Sequence, residues 1–269
     1  MIDMDIRDKL VVVTGATGGI GRSLAKRLAA EGARLILVAR NSRRLTALRD
    51  SLGAERHTAI AADLSSAAGR AQVIDACRRD RDGVSLLINS AGTNEFEFLE
   101  SQSAEAIRKM LDINLLSPIL LCQEMLPLLG KQAVARIINI GSTFGSIGYP
   151  GFSAYCASKF GLRGFTEALR RELDGSAVQV SYIAPRATRT ELNSDAVVAM
   201  NGELGTAMDD PDAVAAAVIR SIVGSRRSDQ YIGWPEKLFV RINALLPGLV
   251  DNSLRKQLPV IRRFATQKT

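Results

Sequence analysis

Three side chains that can move a proton lie close together in the segment 139–164. Ser142 comes first, and Tyr155 and Lys159 follow it thirteen and seventeen residues later. Residues four apart lie on one face of a helix, so Tyr155 and Lys159 would be neighbours. A free tyrosine phenol has a pKa of about 10, and an ammonium about 5 Å away would lower that pKa by about two units. With Ser142 hydrogen-bonded to the same substrate oxygen, this trio would form a proton relay for an alcohol or a carbonyl.

A tyrosine and a lysine at this spacing are also typical of an exposed amphipathic helix, so the surrounding elements decide between the two interpretations. Residues 135–140 form an apolar, β-branched run that predicts a buried strand. A loop rich in Gly and Pro follows, and a helix is predicted to start at Phe152 or Ser153. Ser142 would then lie at the carboxyl end of a strand, where open α/β sheets bind their ligands.

A glycine-rich turn near the amino terminus predicts a dinucleotide site. Residues 10–13 are a buried-strand run, T-G-A-T-G-G-I-G follows, and apolar residues at helical spacing come next. Gly15, Gly19 and Gly21 would allow a tight turn and close approach to a diphosphate, which the N–H groups at the helix start would bind. The strand–turn–helix context makes this motif specific.

The end of the second predicted strand indicates which dinucleotide binds. Sites for NAD usually carry an acidic residue there, about 20 residues past the glycines. Here Ala39 is followed by Arg40, Asn41, Ser42, Arg43 and Arg44, without a carboxylate. A planar guanidinium suits a 2′-phosphate, so Arg40 predicts NADP(H).

The order of the remaining elements predicts the fold. Helical patterns separate seven apolar runs at 10–13, 34–39, 58–62, 84–88, 135–140, 178–183 and 231–233. Two helices are predicted at 103–129, bent or interrupted by Pro118, and at 211–222, with a mobile flap at 191–208. Strands alternating with helices predict an α/β fold with a doubly wound parallel sheet of about seven strands, Rossmann-type, in one domain.

Composition limits the class of protein. Apolar residues make up 46% and charged residues 23% of 269 residues, as in soluble globular domains. Five of the seven net positive charges lie in 235–269, which argues against a nucleic-acid surface spread over the body. Three separated cysteines and one histidine predict reduced thiols, a cytoplasmic protein and no metal site. No uncharged apolar run reaches the roughly 18 residues that would span a bilayer.

Together these motifs resemble the short-chain dehydrogenase/reductases of the single-domain type. The resemblance covers about residues 7–234 and rests on the glycine turn, Asp63-Leu64, the N-S-A-G of residues 89–92, Asn114, Ser142, and Tyr155 with Lys159. It implies hydride transfer between a carbonyl or alcohol and NADP(H), in a homodimer or homotetramer. An NADP(H)-binding regulatory or scaffold protein on the same fold is the alternative, although it would not need the serine, tyrosine and lysine together.

The resemblance also assigns roles to residues. Tyr155 would be the general acid/base, Lys159 its neighbour and a ribose ligand, and Ser142 the partner of the substrate oxygen. Asn114 would hold a relay water behind Lys159. The implied cofactor-binding set, besides Tyr155 and Lys159, is Gly15, Thr17, Gly18, Gly19, Ile20, Gly21, Arg40, Asp63, Leu64, Asn89, Ala91, Gly92, Pro185, Thr188 and Thr190.

Two residues depart from the family pattern. Ser90 replaces the second asparagine of Asn-Asn-Ala-Gly, which is conservative. Arg186 replaces the glycine of the Pro-Gly pair after the sixth strand, so the contacts at that position cannot be carried over. Arg186 and Arg189 would either bind an anionic part of the substrate or be exposed flap arginines.

The segment 235–269 extends beyond the predicted catalytic domain 1–234. It is apolar with a basic fringe and too short and too charged to span a bilayer. Such a segment would pack on the body or on a second subunit, lie on an anionic membrane, or cover a pocket for long-chain, lipid-like carbonyls.

Overall fold

The parallel sheet is the centre of the protein, whose structure is a computed structural model that describes residues 4–224 and 229–266. Within these residues seven strands pair in the order β3-β2-β1-β4-β5-β6-β7, all of them parallel. The strands are β1 Leu10–Thr14, β2 Arg34–Ala39, β3 His57–Ala61, β4 Val84–Asn89, β5 Ala135–Ile140, β6 Val178–Ala184 and β7 Gln230–Tyr231. The predicted doubly wound parallel sheet is confirmed.

Ten α-helices in the described ranges connect or follow these strands. They are α1 Gly19–Ala30, α2 Ser42–Ser51, α3 Ala67–Arg79, α4 Ala104–Leu111, α5 Ser117–Leu129, α6 Ser153–Glu172, α7 Asp195–Glu203, α8 Pro211–Val223, α9 Glu236–Leu245 and α10 Pro247–Ala265. Helix α6 begins at Ser153, as predicted, and places Tyr155 and Lys159 one turn apart.

Apolar strands form here because both faces of the sheet are covered by helices. Along β1, Val11 and Val13 join the cluster that contains Leu24 of α1 and Val218 of α8. Val12, which points the other way, packs in the opposite cluster with residues of α3 and α5. The sheet therefore holds its carboxyl edge rigidly between two cores.

Two predicted segments differ in detail. The helix predicted at 103–129 is broken by a π-helical turn, Asp112–Leu116, just before Pro118 rather than by the proline itself. The segment predicted as a flap contains α7, because Ser194 caps this helix by accepting a hydrogen bond from the Val197 N–H. Residues 195–203 are therefore regular helix within the predicted flap, and the mobility of the flap stays a prediction.

The stretch Ala104–Leu129 is also long and apolar enough, by length and hydropathy alone, to cross a membrane. A third of this apolar window, 33%, is buried inside the fold. Leu121, Cys122, Met125 and Leu129 of α5 are fully buried in the core cluster below the sheet. A core helix passes the same test of length and composition.

The described part of the C-terminal extension folds as two helices on the body; residues 267–269, including Lys268, lie outside the described residues. Ile261 of α10 is fully buried in a cluster with Met200 of α7 and Tyr155 of α6. Arg263 pairs with Glu203 at the end of α7. The extension therefore packs beside the carboxyl end of the sheet, close to the predicted catalytic residues.

Candidate active site

One cavity of about 720 Å³ collects nearly all of the predicted site residues. It lies at the carboxyl ends of the strands, where this fold binds ligands. Its lining includes, from the predicted set, Gly15, Thr17, Gly18, Gly19, Ile20, Gly21, Arg40, Asp63, Leu64, Ala91, Gly92, Ser142, Tyr155, Lys159, Pro185, Thr188 and Thr190. Asn89 and Asn114 are predicted site residues that do not line it.

The glycine turn has the geometry that a dinucleotide cradle needs. Gly15 has a φ of +63°, and a Cβ there would lie 2.7 Å from the Ala91 Cα atom. At Gly21 a Cβ would lie 2.2 Å from the carbonyl oxygen of Gly15. Helix α1 starts at this turn without an acidic residue in its first turn, so its free N–H groups can bind an anion. These residues fit the diphosphate of a nicotinamide dinucleotide, which would supply or accept a hydride when bound.

Tyr182 of β6 holds the backbone of Ser142 in place, a role that the sequence did not predict. Its hydroxyl accepts a hydrogen bond from the Ser142 N–H at 3.1 Å and donates to the Ser142 carbonyl, also at 3.1 Å. Side chains at Gly141 or Gly145 would collide with the Tyr182 ring or hydroxyl, at 2.0 and 2.1 Å. The signal was present in the sequence as a tyrosine in an apolar strand, opposite two glycines. Ser142 is therefore positioned by β6 as well as by β5.

Tyr155 and Lys159 are brought together in a buried setting. Each is at most 7% exposed, and the Lys159 Nζ atom lies 5.7 Å from the centre of the Tyr155 ring. Lys159 also donates a hydrogen bond to the Ile140 carbonyl at 3.2 Å. This contact fixes the ammonium at the end of β5, beside the loop that carries Ser142.

Burial sets the pKa values of this pair, and the expected lowering for Tyr155 is wrong in this structure. Desolvation raises the pKa of Tyr155 to about 12, although the hydrogen bond with Ser142 acts in the lowering direction. Desolvation also lowers the pKa of Lys159 to about 8. Near neutral pH the tyrosine is therefore protonated and the lysine charged. These are the states in which a phenol can donate a proton to a developing alkoxide while a cation stabilises the phenolate left behind.

Asn114 lies behind the cavity in the π-helical turn. Its Oδ1 atom accepts a hydrogen bond from the Thr93 N–H at 2.8 Å. Its Nδ2 atom donates to the Thr93 carbonyl at 2.8 Å and to the Ser158 hydroxyl at 3.1 Å. A Cβ on Gly92 would approach both the Asn114 Oδ1 and the Lys159 Nζ atoms, at 3.4 and 3.8 Å. Asn114 thus borders the space behind Lys159, and its role in a water relay stays a prediction.

Asn89 has a structural position instead of facing the cavity. Its Nδ2 atom donates to the Asn139 Oδ1 atom at 2.8 Å, and Asn139 donates in turn to the Thr166 hydroxyl at 2.9 Å. This buried chain links β4, β5 and α6. Strand-end position alone could not reveal that the side chain turns inward.

Asp63 and Arg40, two charged residues of the predicted cofactor-binding set, both line the cavity. Asp63 accepts hydrogen bonds from the N–H and hydroxyl of Ser65, which lower the pKa of its carboxyl group, and the Arg40 charge adds to this effect. Arg40 is exposed and makes no ion pair within the described ranges. Arg44, by contrast, pairs with Glu191 at 2.9 Å. Arg40 thus lines the cavity outside these ion pairs, and its contact with a 2′-phosphate stays a prediction.

Part of the cavity wall is apolar and is here called the apolar arm. Its individual residues were not predicted from the sequence. Aromatic side chains Phe144, Tyr149 and Phe152 lie along it, with the Phe144 and Tyr149 rings stacked at 4.8 Å. Helix α7 adds Val197 and Met200, and the C-terminal extension adds Phe239, Ile242, Leu249, Val250 and Leu254. The extension thus covers part of the cavity.

Arg186 is neither an exposed flap arginine nor free to bind a substrate anion. Its guanidinium pairs with Asp209 at 2.6 Å and with Glu236 at 3.3 Å, and it donates to the Trp234 carbonyl at 2.9 Å. The side chain is only 16% exposed. Arg189, its predicted companion, is exposed and donates to the Met208 carbonyl at 3.1 Å. Arg186 therefore ties the start of α9 to the end of β6.

We expect Arg186→Ala to destabilise the extension. The change leaves Asp209 and Glu236 without their shared cation in a largely buried place, which should cost roughly 2 kcal/mol. Trypsin should then release the C-terminal fragment faster, and the midpoint of urea unfolding should fall. Arg189→Ala is the matched control and should change neither. Equal cleavage rates for the two variants would contradict the assigned contact.

Fold and cavity together define a dinucleotide-binding oxidoreductase domain, and known proteins agree. Residues 9–200 match the short chain dehydrogenase family. A 3-oxoacyl-[acyl-carrier-protein] reductase of Bos taurus is 34% identical over 214 residues, covering 78% of this chain and 90% of that protein. Dehydrogenase/reductase SDR family member 7B of Bos taurus is 31% identical over 261 residues, covering 91% and 79%.

A solved structure agrees as well. A short chain dehydrogenase from Burkholderia cenocepacia J2315, in complex with NADP, has a TM-score of 0.79 and 27% identity, covering 87% of this chain and all of that one. The chain belongs to the short-chain dehydrogenase/reductase family, whose members are oxidoreductases that use a nicotinamide cofactor.

Proposed function

We propose that this protein is an NADP(H)-dependent oxidoreductase that interconverts an apolar carbonyl compound and its alcohol. The observation that carries the proposal is the convergence of Ser142, Tyr155 and Lys159 in the same cavity as the glycine turn. A regulatory NADP(H)-binding protein would need the turn but not the buried trio.

Ser142, Tyr155 and Lys159 would each have a different role at the substrate oxygen. The Ser142 hydroxyl hydrogen-bonds to the carbonyl oxygen and orients it. A dinucleotide held at the glycine turn would supply the hydride for the carbonyl carbon. The Tyr155 hydroxyl would give its proton to the carbonyl oxygen, which becomes the alcohol. The Lys159 ammonium stabilises the phenolate, and Asn114 borders the route by which that proton is replaced. Oxidation of the alcohol follows the same steps in reverse.

The lining of the cavity supports an apolar substrate class. Aromatic and aliphatic side chains from the loop at 144–152, α7 and the extension form the arm beyond Tyr155. Long-chain aldehydes or ketones, 3-oxoacyl compounds and steroid-like carbonyls share the required shape and polarity. The carbonyl end would lie at the trio and the apolar end under α9 and α10.

We assign a homodimer or homotetramer in the cytoplasm, where the three cysteines, which are buried and free, would stay reduced. An anionic membrane surface is the second proposed partner, reached through the extension.

Arg40→Ala tests the cofactor assignment. A charge-assisted contact with the 2′-phosphate contributes about 1–3 kcal/mol, so the ratio of kcat/KM for NADPH over NADH should fall by roughly 5- to 150-fold. The rates would be measured with a series of straight-chain aldehydes. Arg43→Ala is the matched control, since Arg43 is exposed and does not line the cavity.

Two results would contradict this proposal. An unchanged cofactor ratio in Arg40→Ala would remove the phosphate contact from Arg40. Cofactor binding without consumption of NADPH on any apolar aldehyde or ketone would favour the regulatory protein instead.

A further inference from the structure

Exposed apolar side chains concentrate in the C-terminal extension and at the residue just before it. Of twelve large apolar side chains that are exposed in the described ranges, six lie between residues 234 and 249: Trp234, Leu238, Phe239, Leu245, Leu246 and Leu249. Leu245, Leu246 and Leu249, here called the apolar tip, lie in and beside the turn between α9 and α10, and Leu245 is 80% exposed. Large apolar residues grouped on a surface mark an interaction site.

The cavity reaches the surface at the same place. Phe239 and Leu249 are both exposed and both line the cavity. Leu192, after β6, has the same two properties. An apolar molecule bound at the apolar tip could therefore move into the cavity along apolar side chains.

The charges around the tip are almost all positive. Lys237, Arg241, Arg255 and Lys256 are exposed and make no ion pair within the described residues. Asp251 is the exposed acid on these two helices, while Glu236 is paired with Arg186. A partner that covers this surface must match an apolar centre with a cationic fringe.

We propose that the apolar tip docks into an anionic lipid bilayer and that the substrate enters the cavity from that bilayer. Leucines at the tip would insert below the headgroups, while the four cations would bind lipid phosphates and carboxylates. A symmetric contact with a second copy would bring these cations face to face, which is unfavourable. The docking stands on the exposed residues, whereas the delivery of substrate rests on the proposed function.

Vesicle sedimentation with the full chain tests the docking. Wild type should bind vesicles of phosphatidylcholine with phosphatidylserine, and added salt should weaken the binding. Leu245→Asp with Leu246→Asp should bind at least about 30-fold more weakly, because two apolar anchors become anionic. Arg255→Gln with Lys256→Gln should lose a similar factor, from about 1 kcal/mol per cation. None of these four residues lines the cavity, so NADPH-dependent reduction of a short, water-soluble aldehyde should not change.

Matched controls come from other exposed residues. Leu99→Asp, at a site that is 57% exposed, and Arg78→Gln with Arg79→Gln on α3 should bind vesicles like wild type. The docking would be overturned if wild type failed to bind anionic vesicles. It would also be overturned if the tip variants bound vesicles as well as the controls do. A change of oligomeric state in the tip variant would assign the surface to a second copy instead. Vesicle binding without any carbonyl reduction would overturn the proposed function and leave the docking intact.

Discussion

Replacement of Tyr155 by phenylalanine is expected to lower kcat at least about 100-fold, the scale of a lost general acid. The change removes the hydroxyl that gives its proton to the substrate oxygen. The ring should keep its edge contacts with Phe144 and Phe152, at 6.4 and 6.1 Å between ring centres, so the fold and the binding of NADPH should persist. Steady-state kinetics with a long-chain aldehyde and calorimetric titration of NADPH measure the two effects separately.

Tyr149→Phe is the matched control for this prediction. Tyr149 also lines the cavity, but its hydroxyl lies 3.5 Å from the Gln257 Oε1 atom, in the apolar arm. Its loss should change kcat by much less than the loss of the Tyr155 hydroxyl. Near-normal turnover in Tyr155→Phe would show that another group protonates the substrate.

Lys159→Met is expected to stabilise the protein while it impairs catalysis. Burial lowers the pKa of Lys159 from 10.5 to about 8, so folding opposes its charged form. Below pH 8 the lysine is charged in both states, and the full cost of about 3 kcal/mol is present. Between pH 8 and 10.5 the folded lysine is neutral while the unfolded one still binds a proton, and the cost disappears. The variant's advantage should therefore be largest below pH 8 and vanish above 10.5.

Urea unfolding of wild type and variant across this pH range measures the difference. Lys131→Met, which removes an exposed lysine, should show no such pH dependence. A stability difference between Lys159→Met and wild type that is constant from pH 7 to 11 would contradict the burial account. In the active enzyme the same titration should make carbonyl reduction decline as pH rises through about 8, because the phenolate loses its cation.

The motifs that depend on backbone geometry could be predicted from the sequence. A strand that is followed by glycines at fixed spacing can adopt few backbone conformations, so the glycine turn could be predicted. Ser142 could be placed at the end of β5 because it follows an apolar, β-branched run. The pair Tyr155 and Lys159 followed from the helical period. Most predicted cofactor residues line the cavity for the same reason, since strand ends meet at one edge of a parallel sheet.

Features that depend on tertiary surroundings could not be predicted. The pKa of Tyr155 is governed by burial, which spacing along a helix does not reveal. Asn89 turns toward Asn139 because a buried amide must find a partner, and that partner is 50 residues away. Arg186 finds its carboxylates on Asp209 and Glu236, both distant in the chain. Such pairs become visible only once the chain is folded.

Deuteride transfer tests the central claim most directly. The full chain would be incubated with NADPH that carries deuterium at both positions of the nicotinamide C4 atom and with a long-chain aldehyde, and the product analysed by mass spectrometry. We expect an alcohol with one deuterium on its carbinol carbon, formed by wild type and at least about 100-fold more slowly by Tyr155→Phe. Wild type that binds NADPH but yields no labelled alcohol from any apolar aldehyde or ketone would contradict it.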